Sequence, residues 1–198
     1  MEHYYSENPA VAHDERTVIF ESLGEKLTCV TDAGVFCRDG LDMGTRVLLD
    51  ALPQARGRVL DLGCGWGAVG VVLGKKYPDA QIVMTDINAR ATELAVRNLR
   101  ANGVTNAFVT QGDGFENIEG SFDLIALNPP IRTGKQAIYA MFAACAERLN
   151  PDGELYIVIR KQQGAESAEK YLQTVFAAVE RVSREKGYWV LRGAGGRA

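Results

Sequence analysis

Three glycines stand at alternate positions directly after an apolar run, in residues 59–67 of the chain, VLDLGCGWG. The apolar run predicts a buried strand over residues 58–62. The glycines predict a turn at which a ligand approaches the backbone too closely for side chains. A helix is expected next, over residues 68–77, and Pro78 ends it. This order of elements indicates that a flat or elongated ligand lies on the turn.

The same alternation of short apolar runs and helical periods continues along the chain after about residue 56. Such a pattern is typical of βαβ units and predicts an α/β fold with a mostly parallel sheet. The expected strands are residues 58–62, 81–86, 107–110, 122–127, 155–159, 179–183 and 188–191. Further helices are expected from Asn88 to about residue 102, over residues 136–149, and in the tail before the last two strands. A turn is expected at residues 150–153.

The first 55 residues follow a different pattern. Residues 27–30 and 35–38 suggest a short hairpin, and residues 43–52 suggest an amphipathic helix that ends at Pro53. We interpret residues 1–55 as an N-terminal extension packed on a core of residues 56–198. A chain of 198 residues with 46% hydrophobic content can bury the core of one α/β domain, and we expect one domain overall.

Charge and composition exclude several classes of protein. A net charge of −3 argues against broad, non-specific nucleic-acid binding, although a local basic rim is compatible with it. No apolar run approaches the roughly 20 residues of a membrane span, and the first ten residues lack the layout of a signal peptide. The four cysteines form no C-x-x-C pair and have no nearby histidines. We therefore expect a cytoplasmic protein with no membrane contact and no metal.

Two acidic residues lie at the ends of predicted strands, at positions suited to a ligand. Asp61 directly precedes the glycines, where its charge would repel a pyrophosphate but attract the amino group of a methionine moiety. Asp86 ends the next strand, about 20 residues beyond the turn, where a carboxylate can accept hydrogen bonds from both ribose hydroxyls. Dinucleotide enzymes use the second device too, so it supports an adenosyl ligand without choosing the cofactor.

The spacing Gly65-x-Gly67-x-x-Gly70 also matches a dinucleotide fingerprint, and it leaves a nicotinamide oxidoreductase open. That alternative lacks an evident group for hydride transfer. There is no central Tyr-x-x-x-Lys, and the two histidines, His3 and His13, both lie near the N-terminus.

The segment from Asp61 to Gly67, followed by Asp86 and then Asp113, resembles the motifs of class I S-adenosylmethionine-dependent methyltransferases. The resemblance implies a Rossmann-like, doubly wound, seven-stranded sheet. It also implies S-adenosyl-L-methionine as the cofactor, S-adenosyl-L-homocysteine as the product, and no metal. The residues that would hold the methionine end are Asp61, Gly63, Gly65 and Gly67. Those that would hold the adenosine are Asp86 at the ribose, Ile87 at one adenine face and Asp113 at the adenine amino group.

The sequence Asn128-Pro129-Pro130 follows the fourth core strand. An aromatic amino group is a poor nucleophile, so a catalyst must accept its N–H hydrogens and align its lone pair. The Asn128 side-chain oxygen and the Pro129 carbonyl can do this, and the prolines fix their geometry. The motif resembles that of amino-methyltransferases acting on adenine, guanine or glutamine nitrogens. Many of those carry an aromatic residue where this chain has Ile131, so the stacking partner of the target is unidentified.

Three further stretches, residues 34–45, 128–135 and 153–160, resemble the catalytic half of the ribosomal RNA small-subunit methyltransferase C family. This resemblance implies methylation of guanine N2, with 16S ribosomal RNA or the small subunit as substrate. It places Asp42 and Thr45 either near the methionine end or at the cap of the following helix. The residues expected to form a cationic rim for an RNA backbone are Arg132, Lys135, Arg160 and Lys161.

Two other functions use the same residues. A protein glutamine-N5 methyltransferase needs the same acceptor geometry for its amide nitrogen. A non-catalytic RNA-binding or assembly module could keep the fold, although intact Asn128 and Asp86 weigh against it. The residues do not indicate an oligomeric state.

Overall fold

The computed structural model describes residues 7–196, so parts of the expected extension (1–6, including His3) and core (197–198) lie outside the described residues. The strands are β1 (Arg16–Ser22), β2 (Glu25–Thr31), β3 (Arg58–Leu62), β4 (Gln81–Asp86), β5 (Ala107–Gln111), β6 (Phe122–Leu127), β7 (Leu149–Arg160), β8 (Phe176–Glu185) and β9 (Tyr188–Gly196). The helices are α1 (Met43–Ala51), α2 (Ala68–Lys76), α3 (Ala89–Ala101), α4 (Lys135–Glu147) and α5 (Ala165–Val175). Among these, no helix is long and apolar enough to cross a membrane.

Seven strands form the central sheet, in the order β5-β4-β3-β6-β7-β9-β8. Strands β3 to β7 run parallel to one another, whereas β9 runs antiparallel to both β7 and β8. The prediction of a doubly wound, mostly parallel seven-stranded sheet is confirmed. The strand order reverses between β3 and β6, which is where such sheets open a crevice for ligands.

Helices cover both faces of this sheet. Successive side chains of a strand point to opposite faces, so Val59 joins the core beneath α1, α2 and α3, and Leu60 joins the core beneath α4 and α5. Both residues are fully buried, as expected for a strand with helices on each side. Because helices fill both faces, a ligand is expected at the crevice where β3 and β6 end, at the edge of the sheet.

The N-terminal hairpin differs from the prediction. β2 contains the expected residues 27–30, but its antiparallel partner is β1 and not residues 35–38. Residues 35–38 belong instead to a loop of residues 32–42, which we call the covering loop. The hairpin packs on the α1–α3 face of the core through Leu27 and Cys29. The division of the chain at residue 55 stays a prediction.

The predicted turn at residues 150–153 is also wrong. These residues lie inside β7, where Phe122 pairs with Leu149 and Leu124 pairs with Glu154, so β7 bulges between the two pairs. An added Cβ at Gly153 would come within 2.6 Å of the Phe122 carbonyl oxygen. The bulge therefore brings the β7 backbone against β6, which explains a glycine in a strand.

Candidate active site

The glycines after β3 serve two purposes. Gly63 and Gly65 have φ angles of +72° and +55°, and a Cβ added at either would meet no atom within 4 Å. They therefore leave a bare backbone floor in the crevice. Gly67 precedes α2, where an added Cβ would approach Ala95 to about 3.1 Å, and one at Gly70 would approach the Met84 sulfur to 2.4 Å. These two glycines let α2 pack against its neighbours.

Two adjoining cavities lie above this floor, at the carboxyl ends of β3, β4 and β6. Predicted site residues that line the first cavity are Gly63, Gly65, Asp86, Ile87, Asp113, Asn128, Pro129 and Pro130. Those that line the second are Asp42, Thr45, Asp61, Gly63, Gly65 and Asn128. The structure thus brings together the expected cofactor and catalytic residues, apart from Gly67, which lines neither cavity.

Asp61 is a buried carboxyl at the wall of the second cavity. Its side chain accepts a hydrogen bond of 2.8 Å from the Gly70 N–H, at the start of α2. Burial raises the pKa of Asp61 to about 7, the Gly70 N–H opposes this shift, and the nearby charge of Asp86 adds to it. A cation bound in this cavity would stabilise the ionised carboxylate.

Asp86 holds the glycine turn in place. One of its carboxylate oxygens accepts from the Gly65 N–H at 2.8 Å, and the other accepts from the Asn88 N–H at 2.9 Å. Burial raises the pKa of Asp86, and both N–H groups lower it. Since each carboxylate oxygen can accept a further hydrogen bond, Asp86 can hold the turn and a ligand together. Asp113 also lines the first cavity and is exposed.

Asn128 stands where the two cavities meet. Its side-chain nitrogen donates to the Thr45 hydroxyl at 3.1 Å. The Pro130 carbonyl accepts from the backbone N–H of Thr133 at 2.9 Å and from its hydroxyl at 2.8 Å, which fixes the loop. Within residues 7–196, no hydrogen bond reaches the Asn128 side-chain oxygen or the Pro129 carbonyl. Both acceptors are therefore available to a ligand.

Asp42 caps α1 and also supports Asn128 through Thr45. Its carboxylate accepts from the backbone N–H groups of Gly44 and Thr45, at 2.9 and 3.2 Å, and from the Thr45 hydroxyl. The Thr45 hydroxyl thus donates to Asp42 and accepts from Asn128. The structure shows the capping role, and both residues also line the second cavity.

Several contacts that hold the covering loop and β2 in place were not predicted from the sequence. The Trp66 indole N–H donates to the Cys37 carbonyl at 3.2 Å, and the Asn88 side chain donates to the Gly34 carbonyl at 2.8 Å. Asn98 exchanges two hydrogen bonds with Val30 of β2, at 2.7 and 2.9 Å, and donates to the Trp66 carbonyl at 2.8 Å. An asparagine within the apolar period of a helix, as at Asn98 in α3, is the sequence signal that could have revealed its contacts.

The expected cationic rim lies outside the cavities. Arg132 belongs to a short 3-10 turn, Lys135 begins α4, and Arg160 and Lys161 stand at the end of β7. All four are exposed, and none forms an ion pair with another described residue. The same described range contains no cluster of three or more metal-ligating side chains.

A comparison with known families decides what kind of protein this crevice belongs to. Residues 26–192 match the model of the methyltransferase small domain. The chain belongs to the methyltransferase small domain family. The resemblance to methyltransferases that the glycine turn and the Asn-Pro-Pro sequence indicated is confirmed.

Two relatives of this methyltransferase differ in how much of their own length the chain matches. It is 42% identical over 195 residues to uncharacterized protein YbxB of Bacillus subtilis (strain 168), covering 96% of this chain and 97% of that protein. It is 43% identical over 139 residues to ribosomal RNA small subunit methyltransferase C of Haemophilus influenzae (strain Rd), covering 68% of this chain. The match spans only 42% of the length of that second relative.

The fold of this methyltransferase is similar to a solved structure of a T. Thermophilus 16S rRNA N2 G1207 methyltransferase (RsmC) in complex with AdoMet and guanosine. The TM-score is 0.83 at 28% sequence identity, covering 96% of this chain and 52% of the other. A structure of a Pyrococcus furiosus methyltransferase gives a TM-score of 0.66 at 20% identity, covering 76% and 81% of the two chains, and shows the shared fold.

Proposed function

We propose that this methyltransferase transfers a methyl group from S-adenosylmethionine to an exocyclic amino nitrogen, namely N2 of a guanine in small-subunit ribosomal RNA. The observation that carries the proposal is the pair of unoccupied acceptors, the Asn128 oxygen and the Pro129 carbonyl, beside the cavity over the glycine floor. We place the protein in the cytoplasm, with 16S ribosomal RNA or the small subunit as its partner.

The two cavities suit the two ends of S-adenosylmethionine. In the second cavity, the Asp61 carboxylate would hold the ammonium of the methionine end, over Gly63 and Gly65. In the first cavity, Asp86 would accept from the ribose hydroxyls, Ile87 would cover an adenine face, and Asp113 would accept from the adenine amino group. Asn128 lines both cavities, so the sulfonium methyl between the two ends would lie close to it.

Residues 128–133, which we call the catalytic loop, act by positioning. Asn128 and Pro129 would accept the two N–H hydrogens of the target amine, which turns the nitrogen lone pair toward the methyl carbon. The same two acceptors would stabilise positive charge as it develops on the nitrogen. The cofactor would supply a methyl group already activated as a sulfonium and would leave as the neutral thioether S-adenosylhomocysteine, while the methylated nitrogen would release one proton to solvent. The protein therefore needs to align the amine more than it needs a strong base.

Ribosomal RNA is favoured over other substrates by the relatives and by charge. The Haemophilus influenzae relative is named for ribosomal RNA methylation, and the T. Thermophilus structure contains guanosine. The exposed cations Arg132, Lys135, Arg160 and Lys161 lie toward the same side of the sheet as the catalytic loop. They would contact phosphates of a structured RNA, which a chain of net charge −3 would not bind indiscriminately.

A substrate comparison tests the proposal. Labelled S-adenosylmethionine is incubated with naked 16S ribosomal RNA, with small subunits, and with a release-factor-like protein. The enzymes compared are wild type, Asn128→Ala and the control Gln173→Ala, which changes an exposed amide outside both cavities. We expect label in RNA for wild type and the control, and its loss in Asn128→Ala. Label in protein alone would point to a glutamine enzyme. Tight cofactor binding without transfer to any substrate would point to a binding module.

A further inference from the structure

Two tyrosines from neighbouring helices stack on each other beside the catalytic loop. The rings of Tyr139 in α4 and Tyr171 in α5 lie 4.0 Å apart between centroids, with an interplanar angle of 15°. The Lys135 ammonium lies 5.3 Å from the Tyr139 ring centroid. These three side chains, with Gln136 and Ala140, line an open groove on the protein surface. Both tyrosines are half-buried, whereas Lys135 and Gln136 are exposed.

The groove lies close to Asn128 along the chain. The chain passes from Asn128 through the two prolines and the 3-10 turn Ile131–Thr133, and α4 begins at Lys135. Hydrogen bonds from Thr133 to the Pro130 carbonyl hold this connection in a tight turn. The groove therefore begins within a few residues of the loop that would hold the target base.

One cation, Lys135, lines the groove, and two more lie near it along the chain. The exposed Glu166 in the first turn of α5 is an acid near the same segment. Arg132 and Lys135 precede or begin α4, and Lys161 lies just before α5. None of these three forms an ion pair within the described residues, whereas Glu169 of α5 is paired with Arg181. A groove that combines aromatic rings with a cation that forms no ion pair complements a single-stranded nucleic acid, whose bases stack and whose phosphates are anionic.

We propose that Tyr139, Tyr171 and Lys135 form a platform that stacks the base of an unpaired nucleotide next to the methylated one, with Lys135 contacting its phosphate. This inference rests on the proposed RNA substrate and names how that RNA is held. The tyrosine pair gives a rigid aromatic face because each ring immobilises the other. A neighbouring base held there would fix the RNA while the target base enters the crevice at Asn128.

The test combines protein variants with altered RNA. Tyr171→Leu removes one ring of the stacked pair, and Tyr171→Phe is the matched control that keeps it. We measure KM for the RNA, kcat, and Kd for S-adenosylmethionine. For Tyr171→Leu we expect the RNA KM to rise roughly tenfold, with kcat and the cofactor Kd close to wild type. Tyr171→Phe should behave as wild type. An unchanged RNA KM for a folded Tyr171→Leu protein would overturn the proposal.

Abasic RNA keeps the proposal testable if Tyr171→Leu does not fold. Removing single bases on either side of the methylated nucleotide should reveal one position where the wild-type KM rises by a similar factor. That measurement uses the wild-type protein alone. If Tyr171→Leu does fold, it should add little to the effect of that abasic position, because the stacked base and the ring are the two halves of one contact. The proposal is wrong if no flanking abasic site raises the RNA KM of wild type. It is also wrong if the abasic site and Tyr171→Leu raise the RNA KM independently, so that their factors multiply. RNA methylation that persists in these cases would leave the proposed function standing, whereas absence of any RNA methylation would remove both.

Discussion

The Asn128 side-chain nitrogen donates a hydrogen bond of 3.1 Å to the hydroxyl of Thr45, which lies 83 residues earlier in the chain. Thr45 in turn donates to Asp42, the cap of α1. An amide that donates through its nitrogen on one side presents its oxygen on the other. The N-terminal part of the chain therefore sets the orientation of the residue that we propose to be catalytic.

Thr45→Val tests this orientation, because valine keeps the shape of the side chain but removes the hydroxyl. We expect kcat for methyl transfer to fall roughly tenfold, the effect of losing about 1.4 kcal/mol of transition-state alignment. The Kd for S-adenosylmethionine, measured by calorimetry, should change little. Thr45→Ser keeps the hydroxyl and should retain most of the activity. Equal losses in the serine and valine variants would contradict a role through Asn128.

Asp61 should make cofactor binding depend on pH. Its pKa is raised to about 7 in the cofactor-free protein, and only the ionised carboxylate attracts an ammonium. Affinity for S-adenosylmethionine should therefore increase as pH rises from 5.5 to 7, by up to roughly tenfold per pH unit, and then level off. Calorimetry across this range measures it. Asp61→Asn should bind weakly at every pH, and a wild-type affinity that is flat between pH 5.5 and 8 would refute the assignment.

The same carboxyl should destabilise the cofactor-free protein at high pH. Its folded pKa lies above the ordinary value of 3.8, so the folded state keeps its proton where the unfolded state has lost it. The stabilising contribution is complete below about pH 4 and is lost as the pH rises toward 7. We compare the free energy of unfolding of Asp61→Asn with that of wild type at each pH. The difference between variant and wild type should be more favourable to the variant at pH 8 than at pH 4, by at least about 1 kcal/mol. Urea unfolding at both pH values checks the sign.

Asn98 and Asn102 form a matched pair for testing how the hairpin is held. Asn98 is fully buried and bonds Val30 and Trp66, whereas the bonds between Asn102 and Thr28 are exposed. Asn98→Ala should lower the free energy of unfolding by about 2 to 4 kcal/mol, because it leaves buried backbone groups unpaired. Asn102→Ala should cost less than about 1 kcal/mol. Denaturant unfolding distinguishes them, and similar losses would show that burial does not set the cost.

The core of the fold could be predicted because its signals are local. β3 and β6 are short apolar runs, and the glycine turn follows one of them directly. Since the carboxyl ends of parallel strands meet at one edge of a sheet, the positions of Asp61, Asp86 and Asn128 also predicted that they would converge. The cavities confirm this convergence, although the part that each residue plays in binding stays a prediction.

What could not be predicted depends on contacts between distant segments. β1 contains the consecutive apolar residues Val18, Ile19 and Phe20, which favour a strand but show no alternation that would indicate its pairing with β2. Val35 and Phe36 suggested a strand, but they line the first cavity instead. Gly67 has the spacing of a ligand-binding glycine, yet its neighbours are Met84 and Ala95. The contact between Thr45 and Asn128 has no local signal, because it requires the folded positions of α1 and β6.

The most direct test of the account is to identify the methylated nucleoside. Small-subunit RNA that has been treated with wild-type protein or Asn128→Ala is digested to nucleosides and analysed by mass spectrometry, with binding of S-adenosylmethionine to both proteins measured in parallel. We expect N2-methylguanosine from wild type, and at least a hundredfold less from an Asn128→Ala protein that still binds the cofactor. Undiminished N2-methylguanosine formation by Asn128→Ala, or methylation at a different atom by wild type, would contradict the account.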